Sequence, residues 1–469
     1  MLLDVTAFAS THPNPVLEAF GALENGSRTV ISAPATLSAD QTAFHATLDR
    51  MAGGVGDPGT SGPISLTQPA AITHVTQRVP LSELPSLRGL SLLQQLALLD
   101  RSDMSRFASD HPGVLKTLAS RPPAATVVDA WWTGIPAAKQ RDLATAAPGV
   151  VGNLEGVPYA MRDRANRTYL SDSIRGIRDQ MRAGTGRAAG DDLTRRLHML
   201  EQVRTSLQDG SSSEPRALIG LDPSGEGTAV ITVGDVTTAD YVGYLVPGMF
   251  SSVDTQIVKF AASSQQIASD QQAMLDRLEP ATATRPTPTV AVVAWLGYHS
   301  PGLANVETLD LAKQAEAALT SSVQGLRAIR GPHQPFISVM AHSYGSTASL
   351  LAVQSGGLSV DALAIVGSPG SPAQSASELS VTDGNVWVGQ AASMDPVPAT
   401  GLFGSRPTDP AYGAHLFGTA GATDPLTGGW LTAAVSHNDY FVPGTESLRN
   451  IELIGIDRAD LVLGLDRAK

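Results

Sequence analysis

With 469 residues, 42% of them hydrophobic, the chain is long enough for two structural units, and its lack of cysteine excludes a disulfide framework, a thiol nucleophile and a thiolate metal site. Forty-four acidic against 32 basic residues leave a net charge of −12 with no Lys/Arg-rich run, which argues against nucleic acid or an anionic membrane as a partner. No stretch approaches the roughly 18 uninterrupted apolar residues of a membrane span, and Met1 to Pro13 lacks the basic start and apolar centre of a secretion signal, so a soluble, cytoplasmic chain is the expectation.

Residues 1–210 read as a mainly helical region punctuated by Pro and Gly, with few strand signals. Ser38 to Met51 does not alternate and runs into a flexible linker at about 52–63. Gly54, Gly56 and Gly59 match G-x-G-x-x-G by letter, but no strand precedes and no helix follows, so no dinucleotide site is expected. Leu87, Leu90, Leu93, Leu96, Leu98 and Leu99 recur at mixed spacings of three and four, as on a core-facing helix. Short helices follow, stopped by Pro112, Pro122, Pro136, Pro148 and Pro158. Leu193, Leu197, Leu200, Val203 and Leu207 draw one stripe on a charged helix that ends near Gly210. Trp131 and Trp132 are read as packing residues, because Ile135-Pro136 does not suit a hairpin turn between long helices.

From residue 211 the hydrophobic period changes. Arg216 to Leu221 and Thr228 to Val233 are β-branched runs around Asp222-Pro223-Ser224-Gly225-Glu226-Gly227, an antiparallel hairpin by composition; the acidic turn lacks the ligand spacing of a calcium loop. Tyr241 to Val246, Val290 to Trp295, Phe336 to Met340, Ala362 to Val366 and Val386 to Val388 follow as short strands, with helix-like segments between most of them. Such an order predicts a mostly parallel, doubly wound α/β sheet with a site at the carboxyl ends of the strands.

The strand at Phe336 runs into Ala341-His342-Ser343-Tyr344-Gly345 and then a helix-prone segment. Strand, tight turn and helix around a serine flanked by small residues is the setting of a nucleophile elbow, which lifts Oγ toward a histidine base on another loop. The helix start aims the Tyr344 N–H at a developing oxyanion, and Val246-Pro247-Gly248-Met249-Phe250 ends a neighbouring strand where a second donor belongs, the Met249 N–H first and Phe250 next. Phe250, Tyr298 and His299 are expected to line the substrate pocket. Asp395 lies just past the last clear strand, where an orienting carboxylate belongs, ahead of Asp383 and Asp361. Of the ten histidines, His437 follows the acid and precedes a final helix, which makes it the base candidate over His415; His342 is expected to point its side chain away from the nucleophile. The roughly forty Gly-, Pro- and Thr-rich residues between acid and base predict a lid or flap over the pocket at about 399–433.

The blocks GLDPSGEGTAV, VPGMF, VAWLGY, AHSYGSTASLL, VGSPG, the Asp395 segment and SHNDY together resemble the actinobacterial α/β-hydrolase family catalogued as a domain of unknown function. The resemblance covers nearly all of residues 211–469, and YAMRDRANRTYL (Tyr159 to Leu170) looks like the stretch upstream of that domain. Where the family pattern has Gly-His-Ser-Tyr-Gly, Pro-Gly-Met-Gly and an acidic residue after Gly-Tyr, this chain has Ala341, Phe250 and His299. Membership implies a serine hydrolase fold and a triad, and no particular substrate.

The expectation is therefore an α/β-hydrolase fold with an N-terminal helical domain, cleaving a small-molecule carboxylic ester with an apolar or aromatic group through Ser343, His437 and Asp395, with no metal or cofactor. An amidase or peptidase uses the same triad, and a non-catalytic hydrolase-fold binding protein is the rival from outside enzymes.

Overall fold

The computed structural model describes residues 75–184, 186–208, 214–282, 284–391 and 395–464. The linker expected near 52–63, with Gly54, Gly56 and Gly59, lies outside the described residues. The helical half contains α1 (Gly89–Leu98), α2 (Arg101–Asp110), α3 (Pro112–Ser120), α4 (Ala125–Gly134), α5 (Ala137–Ala146), α6 (Pro148–Val151), α7 (Tyr159–Ala183) and α8 (Arg187–Ser206). Its prolines mostly open helices rather than stop them. Pro112 and Pro148 occupy first helical positions and Pro136 and Pro158 directly precede α5 and α7, where the fixed φ fits and the missing N–H has no partner to lose. Leu92, Leu93, Leu96, Val128, Trp131 and Trp132 bury into one core among these helices.

The second half runs β1 (Arg216–Asp222), β2 (Thr228–Val233), β3 (Tyr241–Val246), α9 (Val253–Leu278), β4 (Val290–Leu296), α10 (Asp310–Arg330), β5 (Phe336–His342), α11 (Tyr344–Gln354), β6 (Ala362–Val366), β7 (Val386–Gly389), α12 (Val397–Thr400), β8 (His415–Phe417), the β9 (Ala422–Thr423) and β10 (Trp430–Leu431) pair, and α13 (Glu446–Gly455). Eight strands form one sheet in the order β1-β2-β4-β3-β5-β6-β7-β8, antiparallel from β1 through β4 and parallel beyond. Parallel strands need crossovers, and α9, α10 and α11 supply them from β3 to β4, from β4 across β3 to β5, and from β5 to β6. Alternation then sorts the side chains: Val242, Tyr244 and Val246 of β3 face Leu319 and Val323 of α10, while Leu245 faces the opposite core with Leu275 of α9 and Ile451 of α13.

Two helices of the helical half pack onto the sheet. Leu170 and Ile174 of α7 and Leu200 and Val203 of α8 share a core with Leu218, Ile231 and Leu296 of the sheet. β1 is also an edge strand, whose outward N–H and C=O groups need partners. Helical-half side chains provide them: Asp163 accepts from the Leu218 N–H at 2.7 Å, Asn166 donates to Leu218 O at 3.0 Å, and Asn153 pairs with the N–H and C=O of Leu221 at 2.8 and 3.0 Å. α7 and α8 thus cover this edge of the sheet.

The stretch 399–433, expected as a flap, instead supplies β8, whose His415, Leu416 and Phe417 pair in parallel with Trp387, Val388 and Gly389, and the β9–β10 pair. None of its residues lines the cavity at the end of β5. A three-residue strand is too short for alternation to register in a Gly-rich sequence.

Candidate active site

β5 delivers its last residue, His342, to the carboxyl edge of the sheet, and Ser343 turns the chain sharply into α11 with φ 53° and ψ −129°. Such a backbone is strained for any residue with a Cβ. Among the described residues four non-glycines have positive φ, and two of them, Ser343 and Phe250, line the same cavity. Neighbouring glycines make room: a Cβ on Gly345 would sit 2.3 Å from Pro247 O, and one on Gly248 would sit 2.7 Å from the Ser343 Cβ. Ala341 is fully buried in the sheet core and needs no such space. Because Val246 pairs opposite Ala341, the chain leaving β3 passes directly beside the elbow.

His437 sits on the loop before α13, in a turn closed by Asp439, whose carboxylate accepts from the N–H groups of Val435 and Ser436 at 3.1 and 2.7 Å. Its Nδ1 lies 2.8 Å from Asp395 Oδ1, so Nδ1–H donates and the carboxylate accepts. Asp395 also accepts from the Val397 N–H at 3.0 Å and from the Tyr440 hydroxyl at 2.6 Å. Tyr440, completely buried, accepts in turn from the Ala391 N–H at 2.8 Å. Burial alone would raise the Asp395 carboxyl; the adjacent His437 and the donors on both oxygens outweigh it and hold the group below the ordinary carboxylate range. Burial and the Asp395 charge push the Tyr440 phenol far upward, so it remains a donor. Gly367, at φ 59°, packs against the imidazole so closely that a Cβ there would lie 2.9 Å from His437 Cε1.

His437 Nε2 and Ser343 Oγ are both buried without a hydrogen-bond partner, and both residues line one cavity of 640 Å³. His415 is exposed on β8 beside Trp387, and Asp361 accepts from the Ile337 N–H at the far end of β5, so neither approaches this cavity. His342 corrects its expected orientation. Its ring lies 4.6 Å from that of His437, and its Nε2–H donates to the His437 backbone carbonyl at 2.7 Å. Burial first, and then the neighbouring His437, lower its pKa to about 3, which keeps it neutral near pH ~7.

The Met249 and Phe250 turn borders the cavity next to Ser343. The Phe250 N–H is committed to Pro301 O at 3.1 Å, which takes it out of the candidate oxyanion donors; Met249 precedes it on the same turn, and Tyr344 opens α11. Phe250 lines the cavity, whereas Tyr298 and His299 do not. Tyr298 is buried, stacks on Trp295 and donates its hydroxyl to Pro247 O at 2.7 Å, bracing the loop from behind. An aromatic residue at a strand end can take either position, and the sequence pattern does not distinguish them. Tyr440, Gly248 and Gly367 escape sequence reasoning, as does the face of α9 formed by Gln256, Lys259, Phe260 and Ser263, which forms one wall. The SHNDY block carries the only signal for Tyr440, three positions after the histidine.

The sheet order and the strained elbow at its centre are those of an α/β-hydrolase fold. The chain belongs to the alpha/beta hydrolase family, whose model matches residues 222–403, a span that contains Ser343 and Asp395 and stops before His437. An uncharacterized protein of Mycobacterium tuberculosis is 29% identical over 375 residues, covering 71% of this chain and 56% of its own length, so this chain spans little more than half of that relative. An uncharacterized Mycobacterium bovis protein is 31% identical over 232 residues, 48% of this chain and 85% of its own. Among solved structures, carboxyl esterase 2 of Tuber melanosporum matches at 11% identity and TM-score 0.32 over 54% of this chain and 89% of that one. A thermostable esterase of Pseudomonas putida matches at 12% identity and TM-score 0.29 over 62% and 96%. Among the described residues no helix is long and apolar enough to cross a membrane.

Proposed function

We propose that this chain is a serine hydrolase that cleaves carboxylic esters through an acyl-enzyme. The observation that carries the reading is the pairing of two buried, unpartnered groups, Ser343 Oγ and His437 Nε2, on one cavity, with the other imidazole nitrogen held by an ionised Asp395. The hydrogen bond between nucleophile and base commonly forms only once substrate is in place. His437 Nε2 takes the Ser343 proton as Oγ attacks the ester carbonyl, and the N–H groups of Met249 and Tyr344 receive the oxyanion. Collapse expels the alcohol, protonated by His437, and leaves the acyl group on Ser343. A water deprotonated by His437 then releases the acid and restores the serine. Asp395 holds the imidazole tautomer and stabilises its protonated form.

Met249, Phe250, Phe260 and Phe441 along the cavity support an ester with an apolar or aromatic portion. Hydrolysis of simple esters by the full chain, reduced at least about 1,000-fold by Ser343→Ala, is the expected result. Full turnover by Ser343→Ala would overturn the proposal.

A further inference from the structure

We propose that the ester also carries an anionic group, a carboxylate or a phosphate, held by Lys259, Gln256 and Ser263 of α9. This assignment rests on the ester hydrolase proposed above and adds the charge of its substrate. The three residues, with Phe260, occupy positions i, i+3, i+4 and i+7 and so form a single stripe about 10 Å long facing the Ser343 cavity. The sheet side of the same helix is a different set, Ile257, Ala261, Ser264 and Ala268, all buried. The polar stripe is therefore not part of the packing that holds α9 in place.

Its charge is what marks it. The chain as a whole carries −12, yet no Asp or Glu lines the cavity, and Lys259 is its one Lys or Arg among the described residues. Lys259 ion-pairs with no carboxylate among the described residues. Its helical neighbours Thr255, Gln256, Ala262 and Ser263 include no acid to neutralise it. Among the described residues neither the Gln256 amide nor the Ser263 hydroxyl has a hydrogen-bond partner, although both residues are half-buried. An ammonium, an amide and a hydroxyl on consecutive turns, all uncommitted, match the acceptor oxygens of a carboxylate or phosphate, with Phe260 beside them for the alkyl segment. The chain between Met249 and Lys259 is short and enters α9 directly, so the reacting carbonyl and the anion share one continuous wall.

The test compares monoethyl adipate with its neutral isostere, ethyl 5-carbamoylpentanoate, and with ethyl 6-phosphohexanoate, in two readouts. In the wild-type chain, kcat/KM for one or both anionic esters is expected to exceed that of the amide about five- to tenfold, at or above the top of the range that an exposed ion pair gives. Added salt narrows the ratio, Lys259→Met abolishes it and Lys259→Glu inverts it. Which anion gains more separates a carboxylate substrate from a phosphate one. In the Ser343→Ala chain, calorimetric affinities for the same compounds are expected to show the same ratio without turnover. Equal values for charged and neutral compounds in the wild type, or a ratio that survives Lys259→Glu, overturns the anion site. If no ester is turned over and Ser343 resists a fluorophosphonate, the hydrolase reading fails instead, and the binding ratio still decides this one.

Discussion

Tyr440→Phe removes one oxygen from the centre of the site and leaves the ring volume in place. Two interactions go with it: the 2.6 Å bond to Asp395 Oδ2 and the acceptor for the Ala391 N–H at 2.8 Å. A hydrogen bond to a charged group is worth about 1.5–3 kcal/mol, and a buried N–H left unpaired costs about 1–3 kcal/mol, so a loss of about 3 kcal/mol or more is expected in urea unfolding at pH ~7. The second consequence is electrostatic. Asp395 is held below its ordinary range, so its contribution to stability is present above the unfolded carboxylate value and disappears as pH falls through the folded one. Losing one of its three donors moves the folded value up and narrows that window. The acid-driven loss of stability should therefore be shallower than in the wild type, and turnover at neutral pH reduced roughly tenfold. An unfolding free energy within ~0.5 kcal/mol of wild type together with a superimposable pH profile would refute the claim that Tyr440 positions the acid.

Gly248→Ala places a Cβ 2.7 Å from the Ser343 Cβ and 3.1 Å from His342 O, which forces the loop carrying Met249 away from the elbow; kcat/KM should fall about 100-fold or more, with circular dichroism unchanged. His342 is neutral in the fold with a pKa of about 3, below its unfolded value, so stability is fully present above that unfolded value and falls as pH drops from ~6.5 toward the folded one. His342→Gln keeps a donor for the His437 carbonyl and cannot protonate, so the wild type should lose roughly 2 kcal/mol more than the variant between pH ~7 and ~5 in urea titrations. Parallel curves for the two proteins would show that the imidazole is not held neutral.

The sheet is legible because its strands are short apolar runs separated by Pro and Gly: β3 and β6 begin and end where alternation and the flanking turns put them. The candidate triad is legible because chemistry constrains its order along the chain, and the structure brings Ser343 and His437 to one cavity with Asp395 bonded to the imidazole. What the sequence hides depends on rotations that no period encodes. Tyr298 turns toward the Pro247 carbonyl and away from the pocket, while α9 is rotated so that a polar stripe lines the same cavity as Ser343. His342 is adjacent to the serine in sequence, but its contact with the His437 carbonyl depends on a loop 95 residues away. In the helical half, Asn153, Asp163 and Asn166 read as ordinary polar residues in a helical pattern. Only three-dimensional placement makes them the hydrogen-bonding edge of β1.

The central claim, that a buried serine is made nucleophilic by the imidazole of His437, is tested most directly by intact-mass analysis after exposure to a fluorophosphonate. One adduct mapping to Ser343 is expected in the wild-type chain, absent in Ser343→Ala and formed at least about 100-fold more slowly in His437→Gln. A folded wild-type chain that takes no label, or labelling that proceeds unchanged in either variant, contradicts the account.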